Sequence, residues 1–180
     1  MVKSVAIYCG SRVGNDPEIQ TLVDQITQAF VRHKVRMVYG GGSIGIMGAL
    51  ADSMTKENLE VIGVIPSFLN DLEVGHTGVS ELLIVQTMHE RKEKMEKLAD
   101  AFLILPGGIG TMDEFFEILT WKQLKLHGKK IAVLNFKGYY EHMMGQLSYM
   151  VEKGFIDQSV IELFDVYDSI EDFENAILKG

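Results

Sequence analysis

The stretch Ala101 to Trp121, AFLILPGGIGTMDEFFEILTW, narrows the possible folds more than any other part of the chain. Ala101 to Leu105 is a short apolar run of the kind that a parallel sheet buries on both faces, and Pro106 stops it. A turn with Gly107, Gly108 and Gly110 follows at once, and Thr111 opens a helical pattern. Glycines there are expected to take backbone angles closed to other residues. They also leave no side chain between the peptide N–H groups and an approaching anion. A helix start adds unsatisfied N–H donors and the positive end of its dipole, so the unit is suited to hold a phosphate.

Strand-like and helix-like stretches alternate along the rest of the chain without a linker or a repeat, which argues for βα units and a parallel sheet. Strands are predicted at Val2 to Tyr8, Arg36 to Tyr39, Glu60 to Ile65 (closed by Pro66), Leu82 to Gln86, Ala101 to Leu105 and Lys130 to Leu134, with a short edge strand at Leu163 to Val166. Helices are predicted from Asp16–Pro17 to about Arg32, from Ile44 to Lys56, from Met88 to Leu98, from Thr111, and from Tyr139 to Lys153. Ser67 to Ser80 reads as a polar connection. Ser169 with Asp172 forms a capping-box pattern for a last helix. The expectation is one domain over residues 1–180, an α/β, Rossmann-like, doubly wound and mostly parallel sheet of six or seven strands in three layers. Ligands are expected beyond the carboxyl ends of the strands.

A second glycine turn, Gly40, Gly41, Gly42 and Ser43, also follows a strand and precedes a helix. Gly40, Gly42 and Gly45 fit the G-x-G-x-x-G pattern of dinucleotide sites, but that pattern also wants an acid at the end of the next strand, and Glu60 stands at its beginning. A nicotinamide cofactor is disfavoured, and with it an oxidoreductase. Neither turn continues into Gly-Lys-Ser or Gly-Lys-Thr, so a P-loop is excluded. Tight turning alone explains one such loop as well as ligand binding does. Two loops on one rim favour a nucleotide.

Met88, Arg91, Lys92 and Met95 share one face of a helix, so two cations interrupt an apolar stripe, while Glu90, Glu93, Lys94 and Lys97 read as a solvated side. Snorkelling explains such cations in general. Here they lie just past a strand's carboxyl end, where a guanidinium can hold a phosphate or a base edge. Thr111 and Glu114 form T-x-x-E, which is a capping box or, equally, a phosphate-binding hydroxyl with a carboxylate left facing a sugar. Glu114, Ile118 and Trp121 share helical spacing, so that side of the helix is a candidate pocket wall.

Composition excludes several classes. A net charge of −8 leaves no basic stripe for a nucleic-acid backbone. The single cysteine, Cys9, rules out an internal disulfide framework and reads as a small core residue. The N-terminal residues lack a long apolar core and no later segment reaches the ~18 apolar residues of a membrane span, so a soluble, cytoplasmic protein without membrane partners is expected. His33, His76, His89, His127 and His142 show no paired metal-ligand spacing, and no metal or other cofactor is expected.

YGGGSIGIMG (Tyr39 to Gly48), MHERK (Met88 to Lys92) and PGGIGTMDE (Pro106 to Glu114), in this order and at these separations, resemble the Lonely Guy (LOG) family of cytokinin riboside 5′-monophosphate phosphoribohydrolases, once often labelled lysine decarboxylases. The resemblance runs from the CGS turn at Cys9 to Ser11 through Thr120 to Leu124. It implies a Rossmann-like homodimer that hydrolyses the N-glycosidic bond of a nucleoside 5′-monophosphate. By motif position it implies Arg91 and Glu114 as the essential pair. Nucleotide-binding positions then fall on Glu73, Met88, Lys92, Gly107, Gly108, Ile109, Gly110, Thr111, Met112, Asp113 and Thr120, with Gly41, Gly42 and Ser43 in the other glycine turn. Lys92 and the Gly107 to Thr111 turn would bind phosphate. Phe115, Phe116 and Leu119 are the candidate dimer surface. Ile109 stands where plant members commonly carry Tyr, and Asp113 replaces the first of two glutamates, which leaves the preferred base open. No lysine lies in a recognisable pyridoxal-phosphate context. The same fold and turns also occur in non-catalytic molybdenum cofactor carriers, which have no need for an acid beside that arginine.

Overall fold

The computed structural model describes residues 2–70 and 74–179. Seven strands form one parallel sheet: β1 (Ser4–Tyr8), β2 (Arg36–Tyr39), β3 (Val61–Pro66), β4 (Glu81–Val85), β5 (Ala101–Ile104), β6 (Lys130–Leu134) and β7 (Asp165–Tyr167), in the order β4-β3-β2-β1-β5-β6-β7. Every neighbouring pair is parallel, with Val5 opposite both Met37 and Ala101. The chain therefore runs outward from β1 in one direction, returns, and runs outward from β5 in the other. A crevice opens where the order reverses, at the carboxyl ends of β1 and β5.

The three layers follow from side-chain alternation. Val5, Ile7 and Cys9 turn to one face, against α1 (Ile19–His33), α2 (Gly45–Lys56) and the C-terminal α8 (Ile170–Phe173). Ala6 and Tyr8 turn to the other, against α4 (Met88–Leu98), α5 (Ile109–Gln123), α6 (Glu141–Glu152) and the one-turn α7 (Gln158–Ile161). Because both faces are covered, β1 and β5 are buried throughout.

Boundaries moved where local chemistry differs from the pattern. Asp16 accepts the Glu18 N–H at 2.8 Å, yet α1 begins only at Ile19. Pro66 ends inside β3, and the one-turn α3 (Ser67–Asn70) occupies the start of the polar connection. Before α6, Lys137 and Gly138 take left-handed angles (φ 51° and 76°), so Phe136–Gly138 forms a 3₁₀ turn and the helix starts at Glu141. Ser169 does cap α8, accepting the Asp172 N–H at 3.1 Å.

Candidate active site

The two glycine turns leave the sheet at neighbouring points and do different things. In the first, the Gly41 carbonyl accepts from His76 N–H (2.9 Å) and Ser43 N–H donates to Val74 (3.0 Å), so Gly42 is bridged to Gly75. Gly41 and Gly45 have φ of +80° and +67°. A Cβ on Gly45 would lie 2.2 Å from the Ser11 backbone, and one on Gly40 only 1.9 Å from an Arg91 nitrogen. The helix start behind this turn is also occupied: Ile46 and Met47 N–H both donate to the Gly10 carbonyl, at 3.0 and 3.4 Å. Of Gly41, Gly42 and Ser43, expected to bind substrate, the Gly41 carbonyl and the Ser43 N–H are thus engaged within the protein.

The second turn corrects a different expectation. Gly107, Gly108 and Gly110 do not take positive φ; Gly108 sits at −93°, and the positive-φ glycines of the described residues lie elsewhere. Gly107 is required because Thr111 Oγ1 lies 2.1 Å from where its Cβ would be, whereas nothing lies within 4 Å of a Cβ on Gly108 or Gly110. Neither backbone angle nor protein packing demands glycine at those two positions. Gly108 is the N-cap of α5, and the first bond of the helix runs from Met112 N–H to the Gly108 carbonyl at 3.1 Å. The N–H groups of Ile109, Gly110 and Thr111 precede that bond and form the donor end of the helix.

This early start also removes one of the two readings of T-x-x-E, the capping box. Thr111 is inside the first turn and buried, so it is not the N-cap, and Glu114 lies one turn in rather than at the helix mouth. The same T-x-x-E pattern does cap α4, where Thr87 accepts the Glu90 N–H (3.1 Å) and Glu90 accepts the N–H of Gln86, one residue before the cap (2.7 Å).

Arg91 and Glu114 are both buried, at 4% and 9% exposure. Arg91 Nη2 donates to the Gly40 carbonyl at 3.1 Å, and its Nη1 lies 3.8 Å from the half-buried Met88 sulfur. Both ionic groups act on the end of β1. Burial, and then the Glu114 charge, push the Tyr8 phenol well above its ordinary range, and Arg91 opposes the rise. The Cys9 thiol is raised by the same causes against the same opposition. The charges of Arg91 and Glu114 are thus both felt at the end of β1. Cys9 is held as a neutral thiol, as a core residue should be.

Lys92 is placed differently from its expected phosphate role. Its ammonium is held by Asp113 (2.6 Å) and Glu117, tying α4 to α5. Burial works to lower its pKa, but those two carboxylates outweigh it and the net shift is upward. Thr120 is exposed with its hydroxyl on the Phe116 carbonyl at 2.7 Å, Met112 is half-buried, and Ile109 is 86% exposed at the helix mouth. Trp121 is half-buried and Ile118 buried. Glu73 lies outside the described residues. Phe115 and Leu119 are core residues, so the expected dimer surface is reduced to Phe116.

A cavity of about 690 Å³ borders the second turn, with Arg12, Asn15, Gly108, Ile109, Lys137 and Tyr139 in its walls. Sequence reasoning missed Arg12, Lys137 and Tyr139; only the Arg after the CGS turn carried a signal, a cation just beyond the first strand. A larger cleft of about 850 Å³ lies between α1 and the C-terminal turns. Its buried Glu174 is held by Arg32 and His33, and the helix start there is capped by Ser169, which leaves the switch-point cavity as the better anion site. Among the described residues, no three His, Cys, Asp or Glu side chains are close enough to hold a metal ion, and no helix is long and apolar enough to cross a membrane.

The family model described as "possible lysine decarboxylase" matches residues 47–177. The chain is 40% identical over 168 residues to a probable cytokinin riboside 5′-monophosphate phosphoribohydrolase, LOG4, of Oryza sativa subsp. japonica, covering 93% of this chain and 73% of that protein. It is 43% identical over 155 residues to a cytokinin riboside 5′-monophosphate phosphoribohydrolase of Rhodococcoides fascians, covering 86% and 78%. Its fold matches the molybdenum cofactor carrier protein of Chlamydomonas reinhardtii with a TM-score of 0.71, at 14% identity over 99% of this chain and 98% of that one.

Proposed function

The chain belongs to the family of these phosphoribohydrolases, and we propose that it hydrolyses the N-glycosidic bond of nucleoside 5′-monophosphates, AMP or its isoprenylated forms, to free base and ribose 5-phosphate. The observation that carries this reading is the burial of Arg91 and Glu114 where both charges act on Tyr8 at the end of β1, together with a helix start that has open space over Gly108 and Gly110. The phosphate lies on the N–H groups of that turn and of the first turn of α5. Arg12 is the cation in the adjoining wall, where Lys137 is held by Asp16 at 3.1 Å and Glu18 at 2.7 Å.

Cleavage of the bond between ribose C1′ and the base nitrogen leaves positive charge on the sugar. The Glu114 carboxylate stabilises that charge and orients the water whose hydroxyl is added to C1′. Arg91 holds the nucleotide and supports the charge that the base takes with the bonding electrons, before the base receives the water's proton. Met88, beside Arg91, completes the base end in this proposal; Lys92 acts by holding α5 in place. The protein works in the cytoplasm as a homodimer, and the exposed apolar residues Ile109, Phe116 and Leu124 of α5 and its C-cap are the surface we assign to the contact. Light scattering that finds only monomer removes the dimer.

The test is incubation with AMP and other nucleoside monophosphates, followed by chromatography for free base. Glu114→Gln and Arg91→Ala are expected to lower base release at least about 10²-fold while circular dichroism shows a folded protein. Full activity in either variant removes the mechanism. Nucleotide bound but unchanged across the panel favours a carrier.

A further inference from the structure

The carbonyls of the second glycine turn are all engaged by the protein. Tyr140 OH donates to the Leu105 carbonyl at 2.5 Å, Gly10 N–H donates to the Pro106 carbonyl at 3.1 Å, and Tyr139 OH donates to the Gly107 carbonyl at 2.6 Å. In a planar trans peptide the C=O and the next N–H point in opposite directions. Holding the Pro106 and Gly107 carbonyls therefore sets the Gly107 and Gly108 N–H groups to face away from Gly10 and Tyr139. The Leu105 carbonyl precedes Pro106, which has no N–H, so Tyr140 anchors the strand end without orienting a donor.

Two of these three anchors are built in: Gly10 N–H is backbone, and Tyr140 is buried. Tyr139 is different. It is 52% exposed, it stands in the wall of the 690 Å³ cavity, and its ring packs edge-on against Tyr140 at 4.9 Å between centroids. Its hydroxyl has no role in the core. We propose that Tyr139 is a positioning residue for the phosphate end of the site, fixing the Gly107–Gly108 peptide so that its N–H donor is aimed before the ligand arrives. An anion-binding peptide that is free to flip would present its carbonyl to the phosphate in one of its two orientations. The Tyr139 hydrogen bond favours the other.

This inference rests on the phosphate placement proposed above, and its test separates the two. Tyr139→Phe removes only the hydroxyl. Titration calorimetry with ribose 5-phosphate should show a dissociation constant raised about three- to tenfold, the range expected for one neutral hydrogen bond, with AMP turnover showing the same rise in KM at unchanged kcat. Adenosine, which lacks the phosphate, should bind as it does to the wild type. Unchanged ribose 5-phosphate binding in Tyr139→Phe overturns the proposal, as does an equal loss for adenosine, which would mark general damage. A wild-type protein that binds neither ribose 5-phosphate nor AMP overturns the phosphate placement itself before the variant is made.

Discussion

The turns at Gly40–Gly45 and Gly107–Gly110 look alike in sequence, and the structure separates them by what fills the space around them. At the first, protein atoms stand where side chains would go, two glycines need positive φ, and the Gly10 carbonyl takes two donors of the following helix. At the second, Gly108 and Gly110 have neither constraint, and the donor end of α5 opens beside the switch-point cavity. A glycine required by the fold and a glycine that leaves room for a ligand thus share one spelling. The first turn still serves the site, because its Gly40 carbonyl holds Arg91.

The sharpest way to break that comparison is to add a methyl group to each turn. Gly45→Ala places a Cβ 2.2 Å from the Ser11 backbone at a φ of +67°. It should destabilise the protein by about 2–4 kcal/mol, a fall of roughly 5–15 °C in Tm by calorimetry. Gly108→Ala meets nothing within 4 Å at an ordinary φ of −93°. The loss of a glycine N-cap should lower Tm by no more than a cost of about 1 kcal/mol implies, well short of Gly45→Ala, while the KM for AMP rises roughly tenfold or more because the methyl group takes ligand space. A stable Gly45→Ala protein, or an unaffected KM in Gly108→Ala, would erase the distinction.

A third region shows what anchoring without ligand binding looks like. Glu174 is held by Arg32 at 2.5 Å and His33 at 2.8 Å, joining the C-terminal turns to α1. The hydrogen bond from Arg32 is the main cause that lowers its carboxyl to about 2; burial opposes this and His33 assists. A carboxyl depressed in the folded state contributes stability that is present above its unfolded pKa and lost as the pH falls through the folded one. The wild type should therefore lose Tm between about pH 5 and pH 2 more steeply than Glu174→Gln, with no change in the KM for AMP at neutral pH. Parallel pH profiles would show that this contact is not an anchor.

How much was legible follows from the range of the forces involved. Strands buried on both faces, such as Val5 to Tyr8 and Ala101 to Ile104, announce themselves as apolar runs, and their alternation with helices indicated the parallel sheet. Arg91 and Glu114 stood out because charges were written into buried helical faces. The T-x-x-E at Thr111 left two readings open, and the capping box fell away because a glycine N-cap three residues earlier started the helix first, while the identical pattern at Thr87 was a true cap. Phe115 and Leu119 were read as a surface because one helix face cannot reveal how many neighbours cover it; both lie in the core on that side of the sheet, with Phe164 edge-on against Phe115. The pairing of Lys92 with Asp113 and Glu117, and the seat of Tyr139 on Gly107, join segments 21 to 32 residues apart through the topology alone. No local pattern encodes them.

The central claim is that the open turn binds phosphate and thereby brings a glycosidic bond to Glu114. Chromatographic measurement of free adenine released from AMP and from adenosine tests it most directly, since the two differ only in the phosphate. The account predicts that AMP is cleaved to adenine and ribose 5-phosphate with a kcat/KM at least about 100-fold above that for adenosine. Equal cleavage of the two, or none of either, would contradict it.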